Sequence, residues 1–200
     1  MLLFCIDFLR TKLWAESEGA PFDRHRSLTG LLIAYADVYC AAHNAVIAAE
    51  AMGLGTVYIG TVLGAITAIR QEFSLPQLVL PVVALCVGYP RRKPARIPKL
   101  GRAAAVHYEQ YQEQTQAEIR SGYERKYGPI SDDYFERTYQ EILEIDAQGK
   151  KGSAEQVRRI MAKMEIANTA QFLFKLRYRP DRGANQALRD AIREAGFELD

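Results

Sequence analysis

Arg91, Arg92, Lys93 and Arg96 put four cations into six positions, and Pro94 and Pro98 stiffen the run. An arginine guanidinium is a planar fork that matches two phosphate oxygens, so a stiff loop of this kind could hold a phosphate. The same composition also describes a solvated basic loop. Other residues capable of chemistry are scattered. His25, His43 and His107 stand apart from one another and from Cys5, Cys40 and Cys86, with no ligand-type spacing, so no metal site is expected. The three cysteines lie in apolar surroundings without a CxxC, and read as reduced core cysteines of a cytoplasmic protein. No Gly-x-Gly-x-x-Gly stands between a strand and a helix, which argues against a Rossmann dinucleotide site. No nucleophile-and-base constellation is legible, so no catalytic side chain is expected.

The chain has 200 residues, enough for about one domain with a real core. Its 48% hydrophobic and 25% charged residues are ordinary for a soluble protein, and a net charge of +2 does not argue for a nucleic-acid partner. Basic residues with aromatics at Tyr123–Tyr127 and Phe172–Arg179 raise the question of RNA. Interleaved acids such as Glu124 favour a solvated or core-facing helix there instead.

The organising stretch is Ser27 to Thr61. Ser27 can cap a helix running to about Met52. Eight alanines between Ala34 and Ala51 give it high helix propensity and little bulk, suiting it to a fold centre or a subunit interface. Asp37, His43 and Glu50 interrupt its apolar character, so no membrane span is expected. Gly53 and Gly55 can take the left-handed conformation that ends a helix. Thr56–Ile59 favours a strand, Gly60 opens a turn, and Thr61 reads as the N-cap of a helix over 62–73. Met1–Ile6 reads as a buried strand ending at Asp7, and 10–26 as a helical turn followed by a surface loop, with Trp14 available to pack on the core. Val79–Gly88, with four valines, reads as a central strand with Pro81 near its start. Further helices are expected over about 134–147, 154–174 and 185–195, the first two opened by capping boxes at Asp133/Glu136 and Ser153/Gln156.

The stretch Asp37, Asn44, Ala48-Ala49-Glu50, Gly53-Leu54-Gly55 and Tyr58-Ile59-Gly60 resembles the FMN-dependent nitroreductase family, especially its larger, NADPH-preferring subgroup. His43 and Thr61 depart from the family's usual Gln and second Gly. Leu75-Pro76, the strand ending in Gly88-Tyr89-Pro90, and Arg96-Ile97-Pro98 continue the likeness, as do His107 and Tyr111. The family's N-terminal segment with an Arg-Ser-x-Arg-type motif has no counterpart in these residues.

The resemblance implies an α+β fold: an α/β/α sandwich with a mixed or antiparallel central sheet around the long Ala-rich helix. Residues 1–100 would form the truncated flavin-binding core, and 101–200 a helical C-terminal extension of the same domain. The implied activity is FMN-dependent NAD(P)H oxidoreduction, with ping-pong hydride transfer through flavin N5 to a small-molecule acceptor. Tyr58, Ile59, Gly60 and Thr61 would line the flavin ring, Lys93 and Arg96 its phosphate, and Lys150 and Lys151 are candidates for the NADPH 2′-phosphate. A homodimer through the 27–52 helix is implied. The alternative is a non-catalytic flavin-binding protein, or a structural subunit or fragment needing an N-terminal part from elsewhere.

Overall fold

The computed structural model describes residues 1–91, 98–128, 154–178 and 182–199. The expected helix over 134–147 and the Ser153 cap lie outside these residues.

The long helix is α2, Leu28–Ala51, and the Ser27 hydroxyl accepts the Gly30 N–H at 3.0 Å. Gly53, at φ +77°, follows its C-terminus in the left-handed region that glycine enters without strain. Leu31, Ala34, Val38, Ala42, Val46 and Ala49 recur at helical spacing and are buried, and α2 packs on the three strands. Leu32, Ile33 and Ile47 point outward and are exposed. By length and apolar composition α2 would also suffice to cross a membrane; here its small-residue stripe lies against the sheet.

Three antiparallel strands form that sheet in the order β1–β3–β2: β1 is Leu2–Asp7, β2 Gly55–Ile59 and β3 Val79–Gly88. The middle strand is buried from Val79 to Leu85, as its valine content implies. Pro81 is its third residue rather than a starting one. Phe4 pairs with Val83 and Cys5 with Pro81, leaving Val82 as the extra residue of a β-bulge. The bulge breaks the hydrogen-bond ladder where proline has no N–H to give. As an edge strand, β1 is less buried than its composition suggests, with Ile6 alone fully covered.

Sequence and structure part company at several local points. Phe8–Ser17 is a ten-residue helix, α1, where only a helical turn was expected. The Asp7 carboxylate caps it by accepting the Arg10 N–H at 2.9 Å, and Trp14 stays 69% exposed instead of packing inward. Gly55 lies in β2 rather than in a helix stop. Thr61 is not a helix N-cap: Gly60–Gly64 is a 3-10 turn, and α3, Ile66–Glu72, starts after Ala65 with no side-chain cap. Cys40 is exposed rather than buried, whereas Cys5 and Cys86 are half-buried. Burial, and then the neighbouring Asp7 charge, pushes the Cys5 thiol up and keeps it protonated and unreactive.

Two compact units emerge, Met1–Lys93 with Asp181–Asp200, and Pro94–Pro180. In the first unit the last helix returns to the sheet. Gly196, at φ +88°, ends the turn after that helix and sends Phe197 into the core, 5.5 Å from the Phe8 ring. Thr67 donates to the Glu194 carboxylate, and Arg70 and Gln77 donate to the Glu194 carbonyl.

The second unit is helical in its described parts. It contains α4, Arg102–Ala105, and α5, Gln116–Tyr127, which opens on a Thr115/Glu118 capping box. The hydrogen bonds from the Thr115 backbone and hydroxyl hold the Glu118 carboxyl below its usual range. The helix expected over 154–174 is interrupted. Ala154–Lys163 is α6; Glu165 then takes φ +52°, and Asn168 caps a new short helix, α7, Thr169–Phe172, which runs on as a π-turn to Arg177. The final helix is α8, Arg182–Glu194, and belongs to the first unit.

Candidate functional site

The site builds outward from the end of β2. Ile59 pairs with Ala84 of the buried central strand, which fixes where the chain leaves the sheet. The 3-10 turn Gly60–Gly64 follows, anchored by Val62, whose side chain is 5% exposed. Gly60 and Thr61 stay on the surface. A Cβ added at Gly60 or at Gly64 would meet no atom within 4 Å, so the backbone there is open to close approach. A helical turn leaves its leading N–H groups without intrahelical acceptors, and Ile59 supplies no side-chain cap. An anionic or electron-rich ring edge is the kind of group such a turn can receive.

Beside the turn stand three tyrosines. The Tyr58 ring lies 6.2 Å from Tyr39, and Tyr39 lies 5.0 Å from Tyr35, both on α2. The Tyr35 hydroxyl donates to the Tyr39 hydroxyl at 3.4 Å. That bond, then partial burial, then the charge of an ionised Tyr39 push the Tyr35 hydroxyl up to about 12. Tyr35 therefore stays neutral wherever the protein is folded near neutral pH. Sequence reading passed over this pair, although tyrosines four apart on a helix share a face.

The other end of β2 receives the chain leaving β3. Gly55 pairs with Gly88, and a Cβ at Gly55 would come within 3.2 Å of the Pro90 ring. A side chain at Gly55 would make the Pro90 ring give way by a few tenths of an ångström, so glycine suits the close approach of the Gly88-Tyr89-Pro90 exit to β2. The basic run starts there with the exposed Arg91. Five residues of strand separate this exit from the Gly60 turn, about 17 Å at the usual rise. Of the expected site residues, Tyr58, Gly60 and Thr61 are exposed and Ile59 is half-buried between them, with Tyr39 packed beside Tyr58. Lys93, Arg96, Lys150 and Lys151 lie outside the described residues. His107 and Tyr111, given no chemical role in the sequence, pack on each other with ring centroids 4.5 Å apart. Among the described residues no group of three or more His, Cys, Asp or Glu could hold a metal ion.

Residues 21–89 match the model of the nitroreductase family. The chain is 36% identical over 121 residues to a Cr(VI) reductase of Pseudomonas sp. (strain G-1), a match spanning 60% of this chain and 49% of that protein. It is also 36% identical over 111 residues to an FMN reductase [NAD(P)H] of Bacillus subtilis, spanning 55% of this chain and 45% of that protein. The chain thus spans about half the length of the curated relatives it matches. The solved structure of NfrA2 of B. megaterium aligns with a TM-score of 0.64 at 25% identity, over 99% of this chain and 68% of that one. The helix, strand and turn that build the site all fall within the matched segment, so over residues 21–89 the chain is similar to the nitroreductase family.

Proposed function

We propose that the chain works as an FMN-dependent NAD(P)H oxidoreductase of the cytoplasm, a homodimer through α2. The observation that carries this reading is the open glycine turn at the end of β2, inside the family-matched segment. When bound, FMN would supply the redox chemistry, taking hydride from NAD(P)H at N5 and passing it to a small-molecule acceptor in ping-pong order. The chain's own part is positional. The N–H groups at the start of the Gly60–Gly64 turn donate toward charge that develops on the ring edge. Gly60 leaves room for a flat ring against the backbone, and Thr61 adds a hydroxyl where relatives of the larger subgroup carry glycine. Tyr58 and Tyr39 form an aromatic wall beside the turn. Arg96 and Lys93, which lie outside the described residues, are the candidates for the phosphate of the cofactor, because an arginine fork matches phosphate oxygens. Lys150 and Lys151 are the candidates for the NADPH 2′-phosphate.

The test is a flavin titration. Purified protein should bind FMN, absorb near ~450 nm, and bleach anaerobically on NADPH addition. Arg96→Ala should weaken FMN roughly ten- to a hundredfold while hardly changing riboflavin, which has no phosphate. Equal loss for both flavins removes Arg96 from the site. FMN binding without bleaching by NADPH or NADH would leave a non-catalytic flavin protein. Absence of FMN binding would mean that these residues are not a working flavoenzyme by themselves.

A further inference from the structure

The two aromatic and basic segments that the flavin site leaves unused face a common cavity. Within Pro94–Pro180, α5 and the α7–π-turn segment enclose about 760 Å³, a volume in the range of small-molecule sites. Tyr123, Tyr127, Phe174 and Tyr178 all line it. Tyr123 and Tyr127 stack with planes 7° apart, and their centroids are 6.1 Å from each other. On the other wall, Phe174 is 71% exposed and Tyr178 is 58% exposed. Rings held open to solvent on both walls of a cavity mark a surface suited to a flat apolar body.

Charge selects the kind of ligand. Among the described residues, two cations line the cavity. Arg120 is neutralised by Glu124 at 2.8 Å, leaving Lys126 with no carboxylate partner among the described residues. Its ammonium sits 4.7 Å from the Tyr127 ring centroid and 6.0 Å from that of Tyr123. Lys175 is not a third: it donates to the Met164 and Glu165 carbonyls. We infer that this cavity is a second binding site, which takes a planar aromatic molecule carrying one negative charge, an aromatic carboxylate or sulfonate. The ring slots between the tyrosine stack and Phe174, and the anion meets Lys126. Single-stranded RNA fits less well, because among the described residues a single unpaired cation lines the cavity, too few to track a phosphate backbone. The inference stands apart from the flavin reading, since no residue is shared.

The test uses the full-length protein and two fluorescent probes of like shape, 8-anilinonaphthalene-1-sulfonate and its uncharged relative N-phenyl-1-naphthylamine. One saturable sulfonate site per chain is expected. Lys126→Gln should weaken the sulfonate about tenfold and leave the neutral probe unchanged. Phe174→Ala should weaken both about tenfold. Circular dichroism of each variant checks the fold. Equal effects of Lys126→Gln on the two probes, or none on either, would overturn the inference. So would binding that ignores Phe174→Ala, which would put the probe on another apolar surface such as α2. Displacement of the sulfonate by oligouridylate at lower concentration than by 2-naphthoate would replace it with an RNA site. Loss of probe binding as protein concentration rises would replace it with a contact between copies of this chain.

Discussion

Gly60→Ala separates the folding role of the turn from its binding role, because the two should move in opposite directions. Gly60 is not among the glycines with positive φ, and a Cβ there would touch nothing within 4 Å. Alanine can therefore adopt the native backbone, and it narrows the unfolded ensemble. The expected gain is about 0.4–1 kcal/mol. For a chain of this size that raises the melting temperature by roughly 1–4 °C. A flavin ring lying on the turn would meet the added methyl. Overpacking of this order costs about 1–3 kcal/mol, which weakens FMN roughly five- to a hundredfold. Thermal melts of the flavin-free protein and fluorescence titration with FMN measure the two effects separately. Unchanged FMN affinity in a stabilised variant would mean that nothing packs against Gly60, and the proposed ring position would be wrong. A lower melting temperature would mean that the turn does not tolerate a side chain, and affinity loss could no longer be read as a clash.

Gly196→Ala should destabilise by about 1–3 kcal/mol, seen as a lower urea midpoint. The residue is at φ +88° and its Cβ would fall 2.7 Å from the Gln77 amide oxygen. Ile47→Asp, on the exposed face of α2, should leave the fold intact and shift the proposed dimer toward monomer in sedimentation; a monomeric wild type at micromolar concentration would refute the interface. Ala49→Leu is a poorer probe of that interface, since Ala49 is buried within its own subunit and the added bulk would strain the core. Tyr35 ionises from an ordinary value of 10 when unfolded and about 12 when folded. Across that window the unfolded chain gives up a proton that the folded chain keeps, so stability falls as pH rises. Tyr39→Phe should lower the Tyr35 value and narrow the window, read by phenolate absorbance and by urea melts at alkaline pH.

What could be read from the residues depended on whether the signal was local. Ser27, the alanine run and Gly53 carry the start, body and end of α2 within one stretch, and the valines of β3 announce a buried strand. Pro81 could not be placed, because its tolerance depends on a bulge formed with Phe4 and Cys5 far away in the chain. Asp7 reads as the end of a strand but also caps α1, and one residue with two duties hid the helix. Nothing in Met164-Glu165-Ile166 marks a helix break by composition; Glu165 takes its positive φ without glycine or proline nearby. For the candidate site, Tyr58 to Thr61 are named through family likeness, and the structure sets them at the end of β2 and the start of the 3-10 turn. The α-helical spacing after Thr61 suggested a cap that the 3-10 turn displaced. The array of half-buried Tyr35 and Tyr39 with exposed Tyr58 depends on β2 lying beside α2, which no periodicity in either segment reveals.

The return of the last helix to the sheet has a consequence for how this chain can vary. Because Phe197 is in the core and Glu194 is held by Thr67, Arg70 and Gln77, residues 94–180 form a span tethered at both ends to one finished scaffold. Closing such a span costs only about 0.6 kcal/mol more for each doubling of its length. Changes of length in its loops are then thermodynamically inexpensive, while the turn at Gly60 and its supporting strand stay where they are. Selection can thus refashion the aromatic cavity without renegotiating the geometry of the glycine turn.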